Sequence, residues 1–107
     1  MNIIEVYFSS LLSQFKKGLE AAKGLKISGQ FQRVIVCGMG ASNWPAWILK
    51  TWLKAEKVPV APHFYLWADY QLPFWVDKQT LVIISSFSGN TEETISCLNE
   101  AIKRRLP

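Results

Sequence analysis

Two short apolar runs constrain this chain more than any other feature. Val34-Ile35-Val36-Cys37 and Leu81-Val82-Ile83-Ile84 are rich in β-branched residues and show no polar alternation. A strand that reads as unbroken apolar is buried on both faces, as in a parallel sheet covered by helices. Each run ends on small and polar residues, Gly38-Met39-Gly40-Ala41-Ser42 after the first and Ser85-Ser86-Phe87-Ser88-Gly89 after the second. A helical pattern follows each turn, and strand alternating with helix predicts the α/β class with a parallel sheet.

The rest of the chain fits that frame. Ile4, Phe8, Leu11, Leu12, Phe15, Leu19 and Ala22 recur at helical spacing and predict an amphipathic helix that ends near Gly24. After the first turn, Ser42 or Asn43 can cap a helix with Pro45 in its first turn and Ile48, Leu49, Trp52 and Leu53 as its inward stripe. A strand is expected at 60–64, at a sheet edge because Pro59 and Pro62 lack the N–H a ladder needs. Residues 67–77 read as a connecting turn or short helix, 80–85 as a strand, and 91–105 as a helix buried through Ile95, Leu98, Ala101 and Ile102. At 107 residues the chain is one domain, with a helix at 1–24 before an α/β part at 34–107. The expected fold is a three-layer αβα arrangement, flavodoxin- or Rossmann-like, and three strands make it an apparently truncated one.

Composition removes several function classes. Half of the residues are hydrophobic and 19% are charged, which excludes a disordered chain. The net charge is +4, and its one cluster, Lys103-Arg104-Arg105, suits a helix C-terminus and has no aromatic platform beside it, so no nucleic-acid partner is expected. Cys37 and Cys97 form neither a disulfide framework nor a metal-type cluster and read as a reduced pair, with no metal and no cofactor expected. Asn2-Ile3-Ile4-Glu5 lacks the positive region of a signal peptide, and the apolar runs fall far short of the ~20 residues of a membrane span. A cytoplasmic protein without a membrane partner is the expectation.

The two turns carry the chemistry. Ligands of a parallel sheet bind beyond the carboxyl ends of its strands, where helix N-termini point N–H groups and partial positive charge outward. Ser42, Ser86, Ser88 and Thr91 put hydroxyls around that opening, and Gly40 and Gly89 let the backbone approach an anion closely. A phosphate group is the ligand this suits. The same residues also suit plain helix caps, with Glu93 closing a capping box to Asn90 or Ser88, and composition alone leaves both readings open. A nucleotide loop is excluded, since G-x-x-x-x-G-K-[ST] is absent and the G-x-G lacks its third glycine.

Order along the chain adds a resemblance. Residues 36–42 (Val-Cys-Gly-Met-Gly-Ala-Ser), 69–77 (Asp-Tyr-Gln-Leu-Pro-Phe-Trp-Val-Asp) and 80–94, with its S-x-S-G-N-T-E-E-T stretch, resemble the sugar isomerase (SIS) domain. They look most like the N-terminal part of the bifunctional phosphoglucose/phosphomannose isomerases. The resemblance implies a hexose 6-phosphate held by Ser42, Ser86, Ser88 and Thr91, with Gly40 and Gly89 in the two turns. It implies aldose–ketose isomerisation by a full enzyme of two such domains, whose catalytic glutamate, histidine, arginine and lysine lie C-terminal to the matched segments. Those positions are expected to be missing before Pro107, so no catalytic residue is assigned and the chain alone is expected to be inactive. A homodimer or a complementary SIS chain is the partner this implies, and a non-catalytic sugar-phosphate-sensing or dimerisation module is the alternative. His63, the single histidine, stands outside the matched segments and reads as a strand residue. Trp47 falls where the family carries an aspartate, so Trp44 and Trp47 either block the sugar pocket, cover an interface or pack inward, while Trp52 is expected in the core.

Overall fold

The protein is described by a computed structural model covering residues 2–58 and 62–107. Three strands, β1 (Arg33–Cys37), β2 (His63–Trp67) and β3 (Thr80–Ile84), form one parallel sheet in the order β2-β1-β3. Three helices accompany them: α1 (Ile3–Ala22), α2 (Trp44–Ala55) and α3 (Glu92–Lys103). β1 takes the centre, pairing Val34 with Phe64 on one side and with Leu81 on the other. A central strand has no water on either face, which is why its four residues after Arg33 are all buried and all apolar.

Alternation along β1 divides the core into two layers. Val34 and Val36 face Ala46 of α2, with Phe64, Leu66, Leu81 and Ile83 beside them. Ile35 and Cys37 face Cys97 and Ala101 of α3, and Leu72 and Val76 complete that side. Helix, sheet and helix are therefore stacked in three layers, as the apolar runs require.

Several sequence expectations need correction. Among the described residues the second strand runs from His63 to Trp67, past the expected end at 64, and the start expected at 60 lies outside the described residues. α2 turns Ile48, Leu49 and Trp52 outward, and its buried contact is Ala46. The reason is phase: Ile48 and Trp52 lie two and six residues beyond Ala46, roughly 200° and 240° around the helix, and so on the face opposite to it. In α3 the buried face is Thr94, Cys97 and Ala101, while Leu98 and Ile102 are exposed. Residues 68–79 form no helix, yet they carry Leu72 and Val76 into the core. That segment is tied to α3: Leu72 N–H donates to Glu100 Oε2 (2.6 Å), Gln71 N–H donates to Ser96 Oγ (3.1 Å), and Arg104 donates to the Val76 carbonyl. The chain's last carbonyl, on Pro107, accepts from Val82 N–H at 3.0 Å and covers part of the outer edge of β3.

α1 is as amphipathic as its sequence demands. Asn2 and Glu5 close a reciprocal capping box at its start. None of its residues is buried, however, and Phe8, Phe15 and Leu19 stay at least two-thirds exposed.

Candidate functional site

Parallel pairing of neighbours β1 and β3 brings their two following turns to one edge of the sheet. The first turn leaves β1 through Gly38 and winds into a 3₁₀ segment, Gly40–Asn43, that runs directly into α2. The second leaves β3 and reaches α3 through residues 85–91. They touch: Ser85 O–H donates to the Ser42 carbonyl at 2.8 Å, and Ser85 N–H donates to the Cys37 carbonyl at 2.8 Å. Gly38 lies at the crossing, where a Cβ would stand 2.9 Å from both Asn43 Oδ1 and the Ser85 carbonyl. Only glycine leaves room for the turns to approach this closely.

A cavity of about 420 Å³ opens between the turns, lined by Ala41, Ser42, Pro45, Ser85, Ser86 and Phe87. Beside it, Thr91 Oγ1 is 3.2 Å from Ser86 Oγ and 3.5 Å from Ser88 Oγ. Ser86 Oγ accepts from Gly89 N–H (3.0 Å) and Ser88 Oγ from Asn90 N–H (3.1 Å). Three hydroxyls thus share two internal contacts while their oxygens also accept backbone protons, so at least one O–H is left to donate outward. Gly40 (φ 55) and Gly89 (φ 70) are both left-handed, and open space lies where their side chains would be. Of the six residues singled out in the sequence, Ser42 and Ser86 line the cavity, and Ser88, Gly89 and Thr91 join Ser86 by hydrogen bonds. Gly40 starts the 3₁₀ segment on the other side.

The helix-cap alternative meets little support in these contacts. Thr91 is the N-cap of α3, but its side chain makes no capping bond, and Glu93 closes no capping box among the described residues. Asn43 precedes α2 and does not cap it either; its Nδ2 donates back to the Gly38 carbonyl at 2.5 Å. The N–H groups of Glu92, Glu93 and Thr94 find no acceptor among the described residues. They are the donors that a helix N-terminus offers an anion.

Charge at the site is unusual in one respect. No Lys or Arg lines the cavity, and the first turn of α3, which follows the second turn, carries Glu92 and Glu93. Tyr70 O–H donates to Glu92 Oε2 at 3.0 Å, and that bond, with the Glu93 charge nearby, holds the phenol above its ordinary value. His63 begins β2, at the opposite end of the sheet, beside Lys50, Lys54 and Tyr65. Trp44 and Trp47 are 66% and 58% exposed and neither lines the cavity, so the indoles do not fill it. Trp52, expected in the core, is 55% exposed.

Sequence comparison supplies the relatives. Bifunctional phosphoglucose/phosphomannose isomerases align with the chain at 35% identity over 96 residues in Caldicellulosiruptor bescii and 38% over 97 residues in Thermoplasma volcanium, covering 86% and 91% of it. The enzyme of Aquifex aeolicus is 40% identical over 74 residues, 69% of the chain. The chain is homologous to a segment of these isomerases. It spans less than a third of their length, 27%, 30% and 22% respectively. No family model matches the chain, and no solved structure matches it significantly.

Sequence reasoning passed over three residues that shape the site. Ser85 was one of five hydroxyls in the 85–94 stretch, and its bond to the Ser42 carbonyl makes it the bridge between the turns. Thr94 is another of the five, turned into the core with its Oγ1 unpartnered among the described residues. Asn43 reads as a cap, and its link to Gly38 exists only because the 3₁₀ segment folds it back. No one-dimensional signal separates these roles. Among the described residues no group of His, Cys, Asp and Glu is placed to hold a metal ion.

Proposed function

We propose that this chain is the sugar-phosphate-binding part of an SIS domain from a phosphoglucose/phosphomannose isomerase-like protein, acting in the cytoplasm on hexose 6-phosphates. The observation that carries the reading is the cavity between two bridged turns, lined by Ser42 and Ser86, with the second turn leading into an α3 N-terminus that has no side-chain cap. The phosphate accepts from the hydroxyls of Ser42, Ser86, Ser88 and Thr91 and from the α3 N-terminus, with Gly40 and Gly89 keeping the approach clear. Aldose–ketose isomerisation moves a proton between C1 and C2 and so requires a base. None of the residues lining the cavity can serve as one, so in this reading the chain binds and a second chain supplies the catalytic groups.

That same lack of a titratable lining residue favours a second reading, a module that senses a sugar phosphate without turning it over. Both readings require binding, and a two-dimensional amide NMR titration with fructose 6-phosphate tests it, with inorganic phosphate as the control. Saturable shifts of Gly40, Ser42, Ser88, Gly89 and Thr91, larger with the sugar than with phosphate, are expected. A well-dispersed spectrum that does not move would sink both. Turnover on addition of a partner chain then separates the isomerase component from the sensor.

A further inference from the structure

The cavity between the turns has two kinds of wall. Ser42, Ser85 and Ser86 give it hydroxyls, while Ala41, Pro45 and Phe87 give it carbon. Hydroxyls and backbone N–H groups suit a phosphate, but a bare phosphate gains nothing from the apolar side. At about 420 Å³ the cavity falls in the size range of small-molecule pockets, which combine apolar walls with a few placed polar groups. Its lining therefore suits a ligand with a carbon body beside its anion.

Phe87 is the lining residue that the fold itself does not use. Its neighbours Ser86 and Ser88 both reach Thr91 Oγ1, at 3.2 and 3.5 Å. The ring between them is 104% exposed, so no described residue covers it, and it belongs to neither layer of the core. A lone exposed apolar side chain is ordinary on a protein surface. This one is held at a cavity rim, directly beside the Ser86 that lines the same cavity. Of the exposed aromatic side chains among the described residues, only Phe87 lines it.

We propose that Phe87 is the platform for the sugar ring and selects a closed-ring hexose phosphate over an open-chain one. The proposal rests on the phosphate reading above and adds the part of the ligand that lies beyond the phosphate. A hexose ring is polar at its edge, where the hydroxyls project, and apolar on its face, where C–H bonds point. The negative face of an aromatic ring attracts such C–H groups, whose hydrogens carry partial positive charge. An open-chain sugar phosphate brings the same anion and similar hydroxyls without a flat C–H face. Phe87 adjoins Ser86, so a sugar held through its phosphate has its carbon body within reach of the ring. The hydroxyls anchor, and the ring discriminates among ligands that the anchor treats alike.

Calorimetric titration of the full chain with glucose 6-phosphate, the open-chain sorbitol 6-phosphate and inorganic phosphate tests this, alongside Phe87→Ala and Phe87→Tyr. Glucose 6-phosphate is expected to bind the wild type about tenfold tighter than either control, the equivalent of one good aromatic contact. Phe87→Ala brings it down to the level of the controls, and Phe87→Tyr keeps the preference. Amide spectra check that both variants remain folded, as expected for a ring that packs on none of the core. In the wild-type complex, saturating the aromatic protons of Phe87 is expected to transfer to the C–H protons of the sugar. Equal affinity for sugar phosphate and phosphate in the wild type overturns the platform and leaves the phosphate site standing. So does sorbitol 6-phosphate binding as tightly as glucose 6-phosphate, or a preference that survives in Phe87→Ala. Failure of phosphate itself to bind removes the phosphate reading and the platform together.

Discussion

Gly38→Ala is the sharpest perturbation of the site. Gly38 is not in the left-handed region, so alanine carries no backbone penalty there and any cost is steric. The added Cβ would stand 2.9 Å from the Ser85 carbonyl, 2.9 Å from Asn43 Oδ1 and 3.4 Å from Ser42 Cβ. None of these atoms can yield easily. The Ser85 carbonyl follows directly on β3, and Asn43 is buried and tethered through Nδ2 to the Gly38 carbonyl. Forcing a methyl into such a place costs about 1–3 kcal/mol. For a domain of this size that lowers the melting temperature by about 4–8 °C per kcal/mol. Urea unfolding followed by tryptophan fluorescence is the assay, with an unchanged slope expected alongside the lower midpoint. In an Asn43→Ala background one of the two close contacts is gone, so the same alanine costs less, and the double-mutant cycle shows coupling. If Gly38→Ala is within about 0.5 kcal/mol of wild type, the turns are not held as closely as argued, because surface substitutions are equally mild.

Three more expectations follow from individual contacts. Ser86→Ala removes a donor to the proposed phosphate and should weaken fructose 6-phosphate binding about 10- to 100-fold by calorimetry, the equivalent of one hydrogen bond to a charged group; unchanged affinity would show that Ser86 serves only the turn. Thr94→Val keeps the shape of a buried side chain whose hydroxyl has no partner among the described residues, and a stabilisation of about 1 kcal/mol in urea is expected, with destabilisation counting against the orphaned hydroxyl. Burial, then the neighbouring Cys97 thiol, pushes Cys37 far above its ordinary value, and burial raises Cys97 too. Both stay protonated in the folded state while the unfolded thiols ionise above about pH 8.5, so stability falls as pH rises beyond that point, by up to about 1.4 kcal/mol per pH unit for each thiol. A Cys37→Ala/Cys97→Ala variant should lose that slope, and an identical alkaline profile in both proteins would refute the assignment.

The parallel sheet was legible because burial on both faces leaves a mark in sequence that helix-covered strands can hardly avoid. β1 and β3 fell within one residue of their expected bounds. The helix faces were harder. Hydrophobic periodicity locates an apolar stripe without saying which protein surface it meets, and α2 shows the consequence: Ile48, Leu49 and Trp52 mark a stripe that points away from the sheet, while a single alanine makes the inward contact. In α3, Thr94, Cys97 and Ala101 hold the buried line while Leu98 and Ile102 lie outside it, because Leu72 and Val76 from the segment before β3 supply the bulk of that layer. The hydroxyls and glycines of the two turns were legible as a group, since they gather after two strands. Their division of labour was not, because Ser85 and Ser86 are adjacent, chemically alike and both line the cavity, and only the direction of the chain leaving β3 makes Ser85 the bridge to Ser42 and Ser86 the partner of Gly89 and Thr91.

The charge pattern around the cavity leads to a final test. An anion site built on lysine or arginine gains from long-range attraction and loses affinity as salt screens it. Here the lining offers hydroxyls and backbone, and the two carboxylates that open α3, Glu92 and Glu93, have the same sign as a phosphate. Their place in the first turn suits the α3 dipole, so the helix gains from them while a bound anion is repelled. Tyr70 offsets part of this by donating to Glu92. Phosphate affinity in this chain should therefore change little between low and physiological salt, within about twofold, where screening of the two carboxylates balances screening of the chain's distant positive charge. Glu92→Gln should tighten binding and, by replacing a charged acceptor with a neutral amide oxygen, bring the Tyr70 phenol back toward its ordinary value. Calorimetry at two salt concentrations and a spectroscopic titration of the phenol measure both effects. A steep loss of affinity with salt would mean that a cation reaches the bound phosphate from elsewhere, and the hydroxyls and helix N-terminus would then no longer account for the site.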